Sequence, residues 1–143
     1  MPTIHATTCE IKEGFLKKFS SCKQRPVGLC IYCGRAFCGD HGELRDQGEE
    51  ICSRKNCIAK RDDLVTHLEY RALVVAQNQQ TGTCGIPGCS HKPDGQCARC
   101  RAYFCLGHLD TREETVGTGY QQIRQMATMC AHCWDRRPIW TRT

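Results

Sequence analysis

Gly28-Leu-Cys-Ile-Tyr-Cys-Gly-Arg-Ala-Phe-Cys-Gly-Asp-His41 aligns without a gap on Gly95-Gln-Cys-Ala-Arg-Cys-Arg-Ala-Tyr-Phe-Cys-Leu-Gly-His108. Both stretches read C-x2-C-x4-C-x2-H, with Phe37 or Phe104 directly before the third cysteine. Repetition of this kind marks a duplicated structural unit. Each copy is flanked by two further cysteine pairs: Cys9/Cys22 and Cys52/Cys57 around the first, Cys84/Cys89 and Cys130/Cys133 around the second. Together with His41 and His108 this uses all 14 cysteines, gives eight ligands per copy and suffices for four tetrahedral sites.

The composition says why such sites are needed. Cysteine makes up 14 of 143 residues, aromatics only 7%, and the mean hydropathy is −0.51. A chain this short and polar cannot rest on one large apolar core and needs crosslinks. Met1-Pro-Thr-Ile-His5 has neither the basic nor the apolar region of a secretory leader. The expected compartment is therefore reducing, cytoplasmic or, in a eukaryote, nuclear, where thiols hold metal rather than disulfides. Apolar runs such as Ala72 to Ala76 fall far short of the ~20 residues of a membrane span.

A C-x2-C turn presents two sulfurs on one side of a tight loop, half of a tetrahedral zinc site. Gly34 after Cys33 suits such a knuckle, because glycine accepts backbone conformations that other residues resist. The second copy has Arg101 there. Four-iron clusters are the competing metal centre, and the histidine in each copy favours zinc.

Two ligand pairings are open. In a cross-brace, Cys9, Cys22, Cys38 and His41 share one zinc, and Cys30, Cys33, Cys52 and Cys57 the next. The second copy then pairs Cys84, Cys89, Cys105 and His108, and separately Cys97, Cys100, Cys130 and Cys133. Sequential pairing competes, since four residues separate Cys33 from Cys38. The interleaved order is favoured because it ties distant segments together. Cys9 is the least secure ligand, with His5 as its substitute. His91, two residues after Cys89, could likewise replace its neighbouring cysteine, but it reads, with His132 and His67, as a surface or packing histidine.

The expected architecture is a small zinc-stabilised α+β fold, two cross-brace modules joined by a helix and holding four structural zinc ions. The modules cover residues 1–59 and 83–137, the connecting helix 60–82 and a tail 138–143. Within the helix, Leu64, Leu68, Ala72 and Val75 form one stripe on a 3.6 period, predicted to pack on the modules or to serve dimerisation. Gly82 is its predicted stop. Gln47-Gly48 reads as a hairpin turn, Ile123, Met126 and Met129 as a helical turn, and Pro138 as a stop signal.

The string C-x2-C-G-x2-F-C-x2-H at Cys30 to His41 resembles the central motif of AN-one-type zinc fingers and, more loosely, of B-box domains, both small cross-brace folds related to RING fingers. The resemblance covers about 12 residues of each module. Cys52/Cys57 and Cys130/Cys133 close the modules in RING-like fashion, whereas a RING has a tighter C-x-H-x2-C centre. The resemblance implies docking of a ubiquitin-conjugating enzyme through an apolar residue in the first zinc loop and a cation after the last ligand. Ile86 and Pro87 occupy the first place, Arg136 or Arg137 the second, and Trp134 is expected to join that surface.

Three functions are weighed. The first is a protein-interaction scaffold, a RING-like ligase or adaptor for ubiquitin or a ubiquitin-like modifier, with no catalytic residues of its own, which positions a charged conjugating enzyme. The second is a zinc-finger nucleic-acid-binding or regulatory protein, suggested by the formal charge of +5 and by Lys12, Lys17, Lys18, Lys23 and Arg25. Fourteen thiolates remove 14 charges and four zinc ions return 8, which leaves −1 and disfavours that reading. The third is an enzyme. It is disfavoured because four-ligand zinc sites lack the open position of catalytic zinc, and only an unligated Cys9 would supply a nucleophile.

Overall fold

The computed structural model describes residues 3–12, 22–45 and 48–141. The chain divides into two compact units. One comprises residues up to Leu64 together with those from Ile139 onward, and the other runs from Val65 to Pro138.

The first unit contains two antiparallel ribbons. Strands β1 (Gly28–Leu29) and β2 (Ala36–Phe37) pair with Gly28 opposite Phe37. Strands β3 (Gly42–Leu44) and β4 (Glu50–Cys52) pair with Gly42 opposite Cys52. Gly48, with φ +78°, lies in the turn between β3 and β4 and donates its N–H to the Arg45 carbonyl; Gln47 is outside the described residues. Among the described residues, Ile11, Phe37 and Ile51 are the large buried apolar side chains of its sulfur-rich core, packed among Cys9, Cys30, Cys38, Cys52 and Cys57 with the half-buried Tyr32 against them.

Helix α1 spans Lys55–Thr81. It begins earlier than the apolar periodicity suggests, and Cys57 therefore lies in its first turn. Its end is as expected: Gly82, with φ +65°, donates its N–H to the Asn78 carbonyl in a left-handed C-cap.

The expected stripe packs only in part, with Val75 against the core of the second unit and Leu64 half-buried. Leu68 is 57% exposed and Ala72 is exposed, while Val74 is fully buried and His67 and Tyr70 are half-buried. The helix turns this mixed face inward because its polar groups are used there. Tyr70 donates to Cys130 Sγ at 3.4 Å, and Asn78 bonds both the N–H and the carbonyl of Tyr103 at 2.9 Å.

The second unit repeats the first ribbon in the same register, β5 (Gly95–Gln96) with β6 (Tyr103–Phe104), Gly95 opposite Phe104. Its second ribbon is longer: β7 (Asp110–Val116) and β8 (Ile123–Met129). Ile123, Met126 and Met129 thus lie on a strand rather than a helical turn. Their three-residue spacing divides them between faces, with Met126 64% exposed and Met129 buried at 1%. Helix α2 (Ala131–Thr141) carries Cys133 in its first turn, as α1 carries Cys57.

Pro138 lies inside α2 and does not stop it. Beyond it, Trp140 donates its indole N–H to Asp63 and packs edge-on against Tyr32 at 5.9 Å, contacts that offset the helix bond proline cannot make.

Gly34 and Arg101 occupy equivalent places in the two knuckles, and both are left-handed, with φ +71° and +64°. Each donates its N–H to the carbonyl of the first knuckle cysteine, Cys30 or Cys97. Space is not the issue at Gly34, where an added Cβ meets nothing within 4 Å, so a side chain there costs only backbone strain. Gly34→Ala is expected to lower stability by about 1 kcal/mol and Arg101→Gly to raise it by about 0.5 kcal/mol, the left-handed penalty less the added freedom of the unfolded glycine chain. Denaturant unfolding at saturating metal checks both.

Candidate metal centres

Sixteen side chains converge into four groups. They are Cys9, Cys22, Cys38 and His41; Cys30, Cys33, Cys52 and Cys57; Cys84, Cys89, Cys105 and His108; and Cys97, Cys100, Cys130 and Cys133. Within each group the ligand atoms all lie within 4.8 Å of one another, and each group can hold a metal ion. The groups alternate along the chain, so Cys30 and Cys33 meet Cys52 and Cys57 rather than the nearer Cys38 and His41. Cys9 belongs to the first group, 3.5 Å from His41 Nδ1, whereas His5 is exposed and outside it.

Local structure explains the convergence. In each unit the short ribbon closes a knuckle, Cys30/Cys33 or Cys97/Cys100, and delivers Cys38 or Cys105 just past its second strand. Three residues on, His41 or His108 turns its Nδ1 back to within 3.3 Å of that same sulfur. The second ribbon then returns the chain to Cys52 or Cys130, and the following helix supplies Cys57 or Cys133.

The spacings match a tetrahedron. Zinc–sulfur bonds of about 2.3 Å at tetrahedral angles set sulfurs about 3.8 Å apart, and a zinc–nitrogen bond gives a sulfur–nitrogen edge of about 3.5 Å. Here Cys33–Cys52 is 3.8 Å, Cys22–Cys38 and Cys89–Cys105 are each 3.9 Å, and the sulfur–Nδ1 edges within these groups run from 3.3 to 3.5 Å. These sulfurs stand far beyond the ~2.05 Å of a disulfide, and all 14 cysteines are free thiols.

Electrostatics point the same way. Burial pushes the Cys57 thiol up to about 11. At Cys30 burial acts upward too, but the backbone amides of Cys52, Tyr32 and Cys33 outweigh it and hold the thiol at about 7. In the fourth group the neighbouring Cys100 and Cys133 hold Cys130 at about 7, while Cys100 and Cys130 drive Cys133 far upward. Packed thiols thus divide their protons unequally, and a dication is what lets all four ionise together.

Groups outside the ligand set steady the fourth centre. Tyr70 donates its hydroxyl to Cys130 Sγ, the Cys130 N–H points at Cys97 Sγ at 3.4 Å, and Arg71 donates to the Cys100 carbonyl at 3.1 Å. His132 stacks on Tyr70 at 3.8 Å, with its Nε2 3.2 Å from His67 Nδ1. Sequence reading missed Tyr70. The one available signal was its place on α1 four residues before Val74, the buried position of that face.

The residues expected to dock a partner fare unequally. Trp134 is only 7% exposed: its indole N–H donates to the Asp110 carbonyl at 2.8 Å, and the Arg112 guanidinium lies 5.2 Å above its ring. It is a core residue and cannot serve as a docking surface. Arg137 is also engaged, 3.1 Å from the buried Glu114 carboxylate and donating to the Thr115 carbonyl. Ile86 is half-buried against the core, Pro87 is exposed and Arg136 is half-exposed. Of the basic cluster, Lys17 and Lys18 lie outside the described residues, and Lys12, Lys23 and Arg25 are exposed. Among the described residues no helix is long and apolar enough to cross a membrane.

Compared with protein-family models, curated proteins and solved structures, the chain matches none.

Chelation is expected to unfold both units, read as loss of amide chemical-shift dispersion. Tyr70→Phe should leave the fold intact but speed chelator extraction of one metal equivalent about tenfold, the usual scale for losing a hydrogen bond to a ligand.

Proposed function

We propose that each of the four groups binds one zinc ion, and that the protein is a cross-brace, RING-like interaction scaffold that docks a charged conjugating enzyme of a ubiquitin-like pathway. The observation that carries the zinc reading is the set of sulfur–sulfur and sulfur–nitrogen separations, which match the edges of a zinc tetrahedron. The alternating order of the groups supports the cross-brace. Thiolate centres of this kind keep their ligands in a reducing compartment, which favours a cytoplasmic or nuclear setting.

With Trp134 buried, the docking surface narrows to the Cys84–Cys89 loop. Its exposed Pro87 and half-buried Ile86 stand beside the third centre, and Arg136 follows the last ligand. Such a scaffold moves no bonds itself. It lowers the barrier by holding the thioester in an attack-ready conformation, a contribution of orientation rather than chemistry.

The test is discharge of a ubiquitin-charged conjugating enzyme onto free lysine. The wild-type protein is expected to accelerate it, and Ile86→Ala or Arg136→Ala to remove most of the acceleration while retaining four zinc ions by native mass spectrometry. No acceleration by wild type across a panel of conjugating enzymes removes the ligase reading and leaves the zinc scaffold standing. A salt-sensitive mobility shift with RNA or DNA in its place would favour the nucleic-acid alternative.

A further inference from the structure

The loop that builds the third centre carries one donor more than the centre needs. His91 Nδ1 lies 3.4 Å from Cys89 Sγ. The same kind of spacing separates His108 Nδ1 from Cys84 and Cys105 Sγ, 3.4 and 3.3 Å. Residue 91 is held there by the backbone, since the Cys84 N–H donates to the His91 carbonyl at 2.9 Å. Cys84 and Cys105 are buried, whereas Cys89 is half-buried and is the sulfur of this centre most open to reagents.

The first unit supplies an internal comparison. Cys22 stands where Cys89 stands, and Gln24 takes the place of His91, with the equivalent backbone bond from the Cys9 N–H to the Gln24 carbonyl at 2.9 Å. The Gln24 side chain donates to Asp40 Oδ2 at 2.7 Å, and a carboxamide is not among the donors structural zinc selects. The same loop geometry therefore carries a spare donor in one unit and none in the other.

We infer that the third centre is a site of four donors plus one, in which His91 Nδ1 takes the metal position of Cys89 when that sulfur leaves. The donor set then passes from three thiolates and one histidine to two and two, and both sets are accepted by structural zinc. The centre's net charge rises from −1 to zero, so the exchange leaves no uncompensated anion. Cys89 thereby becomes a modification site, a thiol that can react with soft electrophiles while the centre keeps its metal and its fold. With a maleimide, the Cys89 sulfur adds across the carbon–carbon double bond, one C–S bond forms, and a proton from water completes the succinimide.

This inference rests on the zinc reading, and one experiment separates the two. Zinc is counted by native mass spectrometry on the full chain. Wild type is expected to hold four ions, Cys89→Ala four, Cys89→Ala/His91→Ala three, and Cys22→Ala three. Fewer than four in wild type overturns the zinc reading itself. Four in wild type with three in Cys89→Ala overturns the inference alone, as does four in the double variant or in Cys22→Ala, where water would be serving as the missing ligand. Should Cys89→Ala fail to fold, N-ethylmaleimide on intact protein decides. The Cys89 mono-adduct is expected to retain four ions in wild type and three in His91→Ala, and equal retention or equal loss in both overturns the proposal.

Discussion

Four soft donors held at tetrahedral spacing are the constraint on which each unit depends. Among the described residues of the first unit, Ile11, Phe37 and Ile51 are the large buried aliphatic and phenyl side chains, and they pack chiefly on sulfur. Packed thiols without a cation either stay protonated, and pack as weak hydrophobes, or ionise against one another in a poorly solvated space. A dication, which each group can hold, would resolve this by neutralising the thiolates and fixing their directions. Each centre also closes long loops, since donors near the start of a unit share a site with donors in its middle, and those in its middle with donors at its end. That crosslinking substitutes for the apolar area such small units lack.

Duplication preserved what the centres require and let the rest vary. The ribbon behind each knuckle has the same register, with Phe37 and Phe104 fully buried in equivalent places. The left-handed residue after each knuckle persists even where arginine has replaced glycine, because the amide it donates to Cys30 or Cys97 depends on that conformation. The second ribbon, bounded by ligands only at its ends, lengthened from three to seven residues per strand. The extra length created a face for α2, with Trp134 on the Asp110 carbonyl and Arg137 beside the buried Glu114. This is why Trp134 and Arg137 are structural in the second unit although their place after the last ligand resembles a docking position.

The formal charge of +5 is a property of the reduced, metal-free chain. With a dication in each of the four groups, thiolates and metal together would change its sign. On that basis a protein-docking role for the Cys84–Cys89 loop is favoured over a phosphate-binding face. The same loop bears His91, whose Nδ1 lies 3.4 Å from Cys89 Sγ, so the proposed exchange of donors would take place beside the proposed contact surface.

The ligand set and the turns could be read from the order of residues alone. Two gapless copies that use every cysteine leave little freedom in which side chains gather, and Gly82 and Gly48 stand where left-handed backbone is required. Helix faces and strand identity could not be read in this way. The stripe through Leu68 and Ala72 has the right period, yet α1 turns Tyr70, Val74 and Asn78 inward, because a sulfur and two backbone groups there need partners more than exposed alkyl groups need cover. Ile123, Met126 and Met129 obey a helical spacing but were drawn into a strand by seven paired residues on β7. The burial of Trp134 and the persistence of α2 through Pro138 likewise depend on contacts between segments far apart in sequence, and only three-dimensional packing decides which competing partner such groups take.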